Sequence, residues 1–148
     1  MLAVWRNQAE SSFCLLFGAG MIEAVAMKPR ILFVDDEAPM CEMLAAYFQE
    51  KGCEVTAVTT GLEAMRSADR EHFDLAILDI RIAGENGLEL LSYFKKNFSE
   101  LPVVMFTGLA EDDELLDQAM ARGAGGFMRK SEPLENLLEA VQAYLPRP

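Results

Sequence analysis

The sequence predicts an α/β protein built on a doubly wound parallel sheet, with helices covering both faces. From residue 30 onward, strand-like and helix-like patterns alternate five times over about 118 residues. Two of the strand-like runs, Ile31–Val34 and Leu75–Leu78, are continuously apolar, as in strands buried on both faces. A chain of 148 residues, 51% hydrophobic and 25% charged, has the composition of one globular domain.

The five expected strands share a short apolar run bounded by turn-forming residues. The first and third end in acids, Asp35 and Asp79, where the chain would leave the core. Pro102 stands at the beginning of the fourth, where a missing N–H is tolerated. The strands are predicted over residues 31–35, 53–58, 74–79, 101–106 and 125–128.

The helices are predicted from start signals and from apolar spacing. Thr60 with Glu63, and Asn86 with Glu89, are capping pairs for the second and third helices. Pro39 lies in the first turn of the first helix, and Pro133 opens the fifth helix. Acidic residues begin the fourth helix, which is predicted over residues 111–122. The positions expected on buried faces are Met40, Met43, Leu44, Tyr47 and Phe48 in the first helix, Leu88, Leu91 and Phe94 in the third, and Leu134, Leu137, Leu138, Val141 and Leu145 in the fifth.

Three carboxylates follow the two most apolar strands: Asp35, Asp36 and Asp79. If these strands are neighbours, the acids meet at the carboxyl edge of the sheet. Like charges at that spacing are costly unless a cation or a shared proton relieves them. Mg²⁺, which keeps several waters and shares phosphate oxygens, fits such a site better than Ca²⁺. The plainer alternative is that these acids are helix caps and solvated loop charges.

Two further polar residues follow the next strands at the same edge. Thr107 comes after the fourth strand and Lys130 after the fifth. A hydroxyl and an ammonium beside a metal supply a hydrogen-bond donor and a positive charge, both of which suit a phosphoryl group. The combination predicts a site for transferable phosphate.

Residues 29–146 resemble a receiver domain of the bacterial two-component response regulators. The resemblance depends on the joint order of the acid pair Asp35–Asp36, Asp79, Thr107–Gly108 and Lys130 after successive strands. It implies a flavodoxin-like sheet in the order 2-1-3-4-5, which is adopted from the family. It also implies a signalling switch, rather than an enzyme, that assists its own phosphotransfer and autodephosphorylation.

The resemblance assigns phosphotransfer to three residues. Asp79 would accept a phosphoryl group from the phosphohistidine of a histidine kinase or a histidine phosphotransfer protein. Thr107 would hydrogen-bond that group and Lys130 would pair with it, while Phe127 occupies the aromatic switch position. The face formed by the fourth helix, fifth strand and fifth helix would bind a downstream protein, and a homodimer would use the same face.

The metal site implied by the resemblance contains Mg²⁺. Asp36 would bind the ion directly and Asp35 mainly through water, with Asp79 and the carbonyl of Arg81 completing the protein ligands. Arg81 and Leu109 resemble positions that tune dephosphorylation.

Two positions depart from the family pattern. The methionine-proline pair common after the acceptor is replaced by Ile82–Ala83. Ser131 replaces the proline, joined by a cis bond, that commonly follows the lysine. A non-proline cis bond costs about 2.5–4 kcal/mol, so either the site holds that strain or the bond is trans and Lys130 is placed differently.

Net charge and cysteine content limit the partners and the compartment. A formal net charge of −11 argues against non-specific binding to nucleic acid or to anionic membranes, which favours protein partners. The three cysteines lack metal-ligand spacing and suit buried, reduced thiols in the cytoplasm.

The first 26 residues differ from the predicted receiver domain of residues 27–148. Residues 13–27 are apolar, but the run is too short to span a membrane and Glu23 interrupts it. Ala24–Ala26 mimics a signal-peptidase site, but Glu10 and Glu23 fit a signal peptide poorly. The arm is either a leader from an upstream start codon or from cloning, or an apolar helix that packs on the domain or on a second copy.

Two alternative functions remain open from the sequence. One is an interaction module that keeps the fold and signals without phosphate. The other is a receiver within a larger regulator or hybrid kinase whose output domain lies beyond Pro148.

Overall fold

The computed structural model describes residues 28–108 and 113–145. Three predictions lie outside these residues: the N-terminal arm of residues 1–26, the contribution of Leu109, and the start of the fourth helix at residues 111 and 112.

The described residues form seven strands and five helices, and five of the strands alternate with the helices as the sequence predicts. The predicted bounds lie within two residues of the observed ones, except that the fifth helix ends at Gln142, before its predicted buried position Leu145. The elements are β1 (Arg30–Val34), α1 (Ala38–Glu50), β2 (Glu54–Val58), α2 (Gly61–Arg70), β3 (Leu75–Leu78), β4 (Arg81–Ile82), β5 (Glu85–Asn86), α3 (Gly87–Asn97), β6 (Val103–Thr107), α4 (Asp113–Ala121), β7 (Gly126–Arg129) and α5 (Leu134–Gln142).

Five of the strands form one parallel sheet in the order β2-β1-β3-β6-β7. Counted within this sheet, the order is the expected 2-1-3-4-5, so the predicted fold class is confirmed. The pairing continues just past the strands: Asp35 N donates to Val58 O at 3.1 Å and Asp79 N donates to Val34 O at 3.0 Å. These bonds fix the two acids at adjacent strand ends.

Alternating side chains of β1 enter two different cores. Leu32 and Val34 pack with α2, α3 and α4 on one side of the sheet, and Ile31 and Phe33 pack with α1 and α5 on the other. Because successive side chains of a strand point to opposite faces, an apolar run in β1 requires cover on both sides. This requirement produces the three-layer architecture.

The two helix starts that are predicted from capping pairs are present. The Thr60 hydroxyl accepts a hydrogen bond from Glu63 N at 3.2 Å, and Asn86 Oδ1 accepts one from Leu88 N at 2.9 Å. Each bond satisfies an N–H that the first turn of a helix leaves without a partner. The prediction was wrong for Met43, which is 46% exposed because the apolar face of α1 is narrower than its sequence pattern.

A two-stranded hairpin, formed by β4 and β5, follows the third strand and was missed by the five-strand prediction. Its two loop residues, Ala83 and Gly84, have φ values of 51° and 79°. Positive φ at both positions is what a type I′ turn requires. The left-handed conformation costs a non-glycine residue about 1–2 kcal/mol, which makes Ala83 an unusual occupant.

The structure answers two questions that the sequence left open, the isomer of the bond after Lys130 and the state of two cysteines. No cis peptide bond occurs among residues 28–108 and 113–145, so the bond between Lys130 and Ser131 is trans. Cys41 and Cys53 are free and buried, as predicted.

None of the helices in the described part of the chain is long and apolar enough to cross a membrane.

Candidate functional site

Four strand ends bring polar side chains to the carboxyl edge of the sheet. Asp35 follows β1, Asp79 follows β3, Thr107 is the last residue of β6, and Lys130 follows β7. The first three are at most 6% exposed. Parallel pairing of neighbouring strands places all four at one edge, as expected for ligand sites in open α/β sheets.

Lys130 lies between two of the buried acids. Its Nζ is 2.7 Å from Asp35 Oδ2 and 2.7 Å from Asp79 Oδ2, and 3.4 Å from Glu37 Oε1. The lysine side chain is 14% exposed, while the side chains of Asp35 and Asp79 are 0% and 9% exposed. The ammonium therefore offsets the negative charge of a crowded and largely dehydrated site.

Burial and ion pairing shift the ionisation of this group of residues. Burial raises the pKa of Asp35, and the contact with Lys130 offsets only part of that effect. Burial by itself would lower the pKa of Lys130, but the close carboxylates of Asp35 and Asp79 raise it above its usual value. Lys130 consequently stays protonated throughout the physiological pH range.

Asp35, Asp36 and Asp79 form a cluster of metal-binding type. Each offers one carboxylate oxygen, and these three atoms lie within 4.8 Å of one another. Oδ2 of Asp35 is buried and receives no well-directed hydrogen bond, although it lies close to Nζ of Lys130. We regard that contact as an ion pair. Hard carboxylate oxygens with unused lone pairs fit a divalent cation such as Mg²⁺.

Backbone N–H groups orient the other oxygens of these acids. Asp35 Oδ1 accepts from Glu37 N at 2.9 Å, and Asp36 Oδ2 accepts from Ala83 N at 3.1 Å. Asp79 Oδ1 receives a longer contact from Arg81 N at 3.4 Å. The backbone of Arg81 is therefore beside the acid cluster, while the residue itself is exposed.

Thr107 and Phe127 belong to the neighbouring strands β6 and β7. Lys130 N donates to Thr107 O at 2.9 Å, so the backbone joins these two site residues directly. Phe127 is paired with Met105 and is 38% exposed, and the Arg129 guanidinium lies 5.9 Å from its ring centre. Phe127 is therefore on the exposed side of β7 rather than within the acid cluster.

Three site features were missed from the sequence. Glu37, which contacts Lys130, directly follows the acid pair, and that adjacency was an available signal. Gly87 lies where a Cβ would overlap Asp79 O and would approach Ile80 O to 2.8 Å, so only glycine fits there. The hydrogen bond from Ala83 to Asp36 joins residues 47 positions apart, and no local pattern indicates it.

The arrangement combines a nucleophilic carboxylate, a fixed ammonium and oxygen ligands for a cation. Such a group of residues can accept an anionic phosphoryl group, because positive charge offsets the repulsion between carboxylate and phosphate. Fold and site together define a flavodoxin-like α/β domain with a cluster of acids and a lysine at the carboxyl edge of its sheet.

Comparison with known proteins identifies the family. A model of the response regulator receiver domain matches residues 31–142, and the chain belongs to this family. Its members are signalling switches that interact with histidine kinases or phosphotransfer proteins and bind Mg²⁺ through acidic residues.

Two similar proteins differ in length from this chain. The regulatory protein VanRB of Enterococcus faecalis is 35% identical over 121 residues, which are 82% of this chain and 54% of VanRB. Sporulation initiation phosphotransferase F of Bacillus subtilis is 29% identical over 120 residues, covering 81% of this chain and 96% of that protein. The chain thus spans about half of the first relative and nearly all of the second.

A solved structure has the same fold. The chemotaxis response regulator CheY4 of Vibrio cholerae superposes with a TM-score of 0.74 at 26% identity, over 80% of this chain and all of that one.

Proposed function

We propose that this chain is a phosphoacceptor receiver. Asp79 takes a phosphoryl group from a phosphohistidine of a histidine kinase or histidine phosphotransfer protein, in a Mg²⁺-dependent reaction, and the change alters a protein-binding surface. The observation that carries the proposal is the position of Lys130, whose Nζ lies 2.7 Å from both Asp35 and Asp79 within a cluster of three carboxylates.

In the transfer step, a carboxylate oxygen of Asp79 forms a bond to phosphorus. The phosphorus–nitrogen bond of the phosphohistidine breaks, and the ring nitrogen keeps the electron pair and takes a proton from solvent. Lys130 remains protonated and stabilises the negative charge on the phosphoryl oxygens. The exclusion of water from Asp79, which is 6% exposed, strengthens that attraction.

Asp35, Asp36, Asp79 and the carbonyl of Arg81 would hold Mg²⁺. The ion, when bound, neutralises charge on the phosphoryl oxygens during transfer. Asp35 is fixed by Glu37 N and by burial, so its carboxylate is oriented before any ligand arrives.

Thr107 and Phe127 form the switch. The phosphorylated Asp79 attracts the Thr107 hydroxyl, and Phe127 moves into the space that Thr107 vacates. The backbone hydrogen bond from Lys130 N to Thr107 O supports coupling between Thr107 and Phe127, because it links the end of β6 to the end of β7, so that a shift of Thr107 would be passed to β7. The surface formed by α4, β7 and α5 then changes its affinity for a downstream protein or for a second copy of the chain.

Intact-mass measurement tests the phosphoacceptor role. The protein is incubated with Mg²⁺ and a small phosphodonor, alongside Asp79→Asn and the matched control Asp69→Asn, which alters an exposed acid of α2. We expect one phosphoryl group on the wild type and on Asp69→Asn, and none on Asp79→Asn. Absence of added mass on the wild type, or equal addition to Asp79→Asn, would refute the proposal.

The same proposal extends to the cellular location of the domain, its target and the length of the protein that contains it. A cytoplasmic location fits the reduced thiols and the kinase partner, and a protein target fits the acidic net charge better than direct nucleic-acid binding. The share of VanRB that the chain covers, 54%, favours a receiver within a longer regulator as the second candidate. Sequencing the gene beyond the codon for Pro148 tests whether an output domain follows.

A further inference from the structure

We infer that the β4–β5 hairpin is a positioning element for the metal ligand Asp36, and that it acts through the backbone N–H of Ala83. The inference rests on the proposed Mg²⁺ site and concerns this chain's own loop. Ala83 N donates to Asp36 Oδ2 at 3.1 Å, across 47 positions of sequence.

The donor of this hydrogen bond is a residue of the hairpin turn, where Ala83 has a left-handed conformation. The hairpin pairs Arg81 with Asn86 and Ile82 with Glu85, so Ala83 and Gly84 alone make the turn, with φ values of 51° and 79°. In this turn the N–H of Ala83 points to the loop after β1. A proline at position 83, as the family resemblance leads one to expect, has no N–H and a φ near −65°.

The hairpin packs against the core through one buried side chain, and a backbone hydrogen bond closes its base. Ile82 is 1% exposed. Gly87 N donates to Ile80 O at 2.6 Å, and Gly87 has no room for a side chain beside Asp79. The burial of Ile82 and the backbone hydrogen bond between Gly87 N and Ile80 O explain why a strained alanine persists in the turn.

Asp36 needs such support more than its neighbours do. Asp35 and Asp79 are buried, whereas Asp36 is exposed, and an exposed side chain samples several rotamers. The N–H of Ala83 selects one of them. A carboxylate has about four acceptor sites, so this bond leaves oxygen lone pairs of Asp36 available for a cation. The side-chain entropy that metal binding would otherwise remove is already lost before the ion arrives.

Mg²⁺ binding by two variants tests this positioning role. Ala83→Gly keeps the N–H and the left-handed turn, and Ala83→Pro removes both. Titration calorimetry with Mg²⁺ alone should give Ala83→Gly an affinity within about twofold of the wild type, and Ala83→Pro an affinity about fivefold weaker, as for loss of one hydrogen bond to an exposed charge. Far-UV circular dichroism verifies that both variants are folded.

The outcomes separate this inference from the proposed function. A wild type that binds no Mg²⁺ would defeat the metal site and the inference with it. A wild type that binds Mg²⁺, with Ala83→Pro within twofold of it, would overturn the inference alone. If Ala83→Pro does not fold, hydrogen exchange of the Ala83 amide is measured in Asp36→Ala and in the wild type. Faster exchange of this amide in Asp36→Ala supports the inference, and an unchanged exchange rate overturns it.

Discussion

Replacement of Lys130 by methionine should destabilise the metal-free protein more than any surface charge change. Among residues 28–108 and 113–145, Lys130 is the one cation in ion-pair contact with the acids of the site. Methionine keeps most of the side-chain volume and removes the charge. Asp35 and Asp79 are then left in a dehydrated site without a counter-charge.

The size of the effect follows from the spacing and burial of the acids. The carboxylate oxygens of Asp35 and Asp79 lie within 4.8 Å of each other. Two unit charges at that spacing repel by about 3–4 kcal/mol at an effective dielectric constant of about 20. Removing one partner of a buried ion pair costs about 3–5 kcal/mol in general. Because Asp79 retains some contact with solvent, we expect a loss of about 3 kcal/mol in the free energy of unfolding.

The loss should depend on pH in a defined direction. Burial raises the pKa of Asp35 in the folded state, so folding is penalised when the pH is high enough to ionise this carboxyl. Protonation at lower pH removes the penalty. In the wild type, the raised pKa of Lys130 stabilises the fold below the pKa of a free lysine, and this stabilisation disappears only in strongly basic solution. The difference between wild type and variant should therefore be large at neutral pH and shrink in acid, as the pH falls through the raised pKa of Asp35.

Urea unfolding followed by circular dichroism measures this difference. Wild type, Lys130→Met and the control Lys96→Met, an exposed lysine in the last turn of α3, are compared with a chelator and with excess Mg²⁺. The control should differ from wild type by less than about 0.5 kcal/mol. Mg²⁺ should narrow the gap for Lys130→Met, because a bound cation replaces the missing charge.

A Lys130→Met protein within about 1 kcal/mol of wild type in metal-free buffer at neutral pH, where the full loss is expected, would contradict a stabilising role of the Lys130 charge. A difference that is the same at neutral and at acidic pH would show that the cost does not arise from ionised carboxylates.

Three further predictions concern other parts of the fold. Thr60→Ala removes the acceptor for Glu63 N and should lower the unfolding free energy by about 1 kcal/mol in urea titrations, with Thr60→Ser restoring most of it. Gly87→Ala places a Cβ against the carbonyl of Asp79; it should cost about 2–3 kcal/mol and reduce phosphorylation measured by intact mass, and wild-type behaviour would contradict the close approach. Burial raises the pKa of Cys53 to about 11, so at pH values near 8 its alkylation should be far slower in the native than in the urea-unfolded protein, as located by peptide mass spectrometry; equal rates would mean that the thiol is accessible.

The strands and helix starts could be predicted because their signals are local. The run Ile31–Val34 is apolar at every position, which only a strand covered on both faces can accommodate, and its residues are at most 1% exposed. Thr60 and Asn86 are short polar residues that favour helix caps over helix interiors. Both accept an N–H of the first turn, Thr60 from Glu63 as the capping pair predicts and Asn86 from Leu88 instead of Glu89. Met43 was misassigned because apolar spacing cannot define how wide a buried face is.

The hairpin after Asp79 could not be predicted in the same way. Its strands have two residues each, too few to produce a periodic pattern. Gly84 suggests a turn, but alanine at the preceding position disfavours the left-handed conformation that the structure adopts. Contacts outside the turn, with Asp36 and with the core through Ile82, outweigh that local preference.

The sequence by itself determined the fold class, the family and the residue types at the carboxyl edge. Apolar runs, capping residues and the order of acids, hydroxyl and lysine are local features that can be identified without knowing which strands pair. Only the tertiary structure decided which of those groups contact one another. The ion pairs of Lys130 with Asp35 and Asp79, and the hydrogen bond from Ala83 to Asp36, join residues 47 to 95 positions apart. Such distances become contacts only when the parallel strands are paired, and the burial of Asp35 and Asp79 at that edge then strengthens their ion pairs with Lys130.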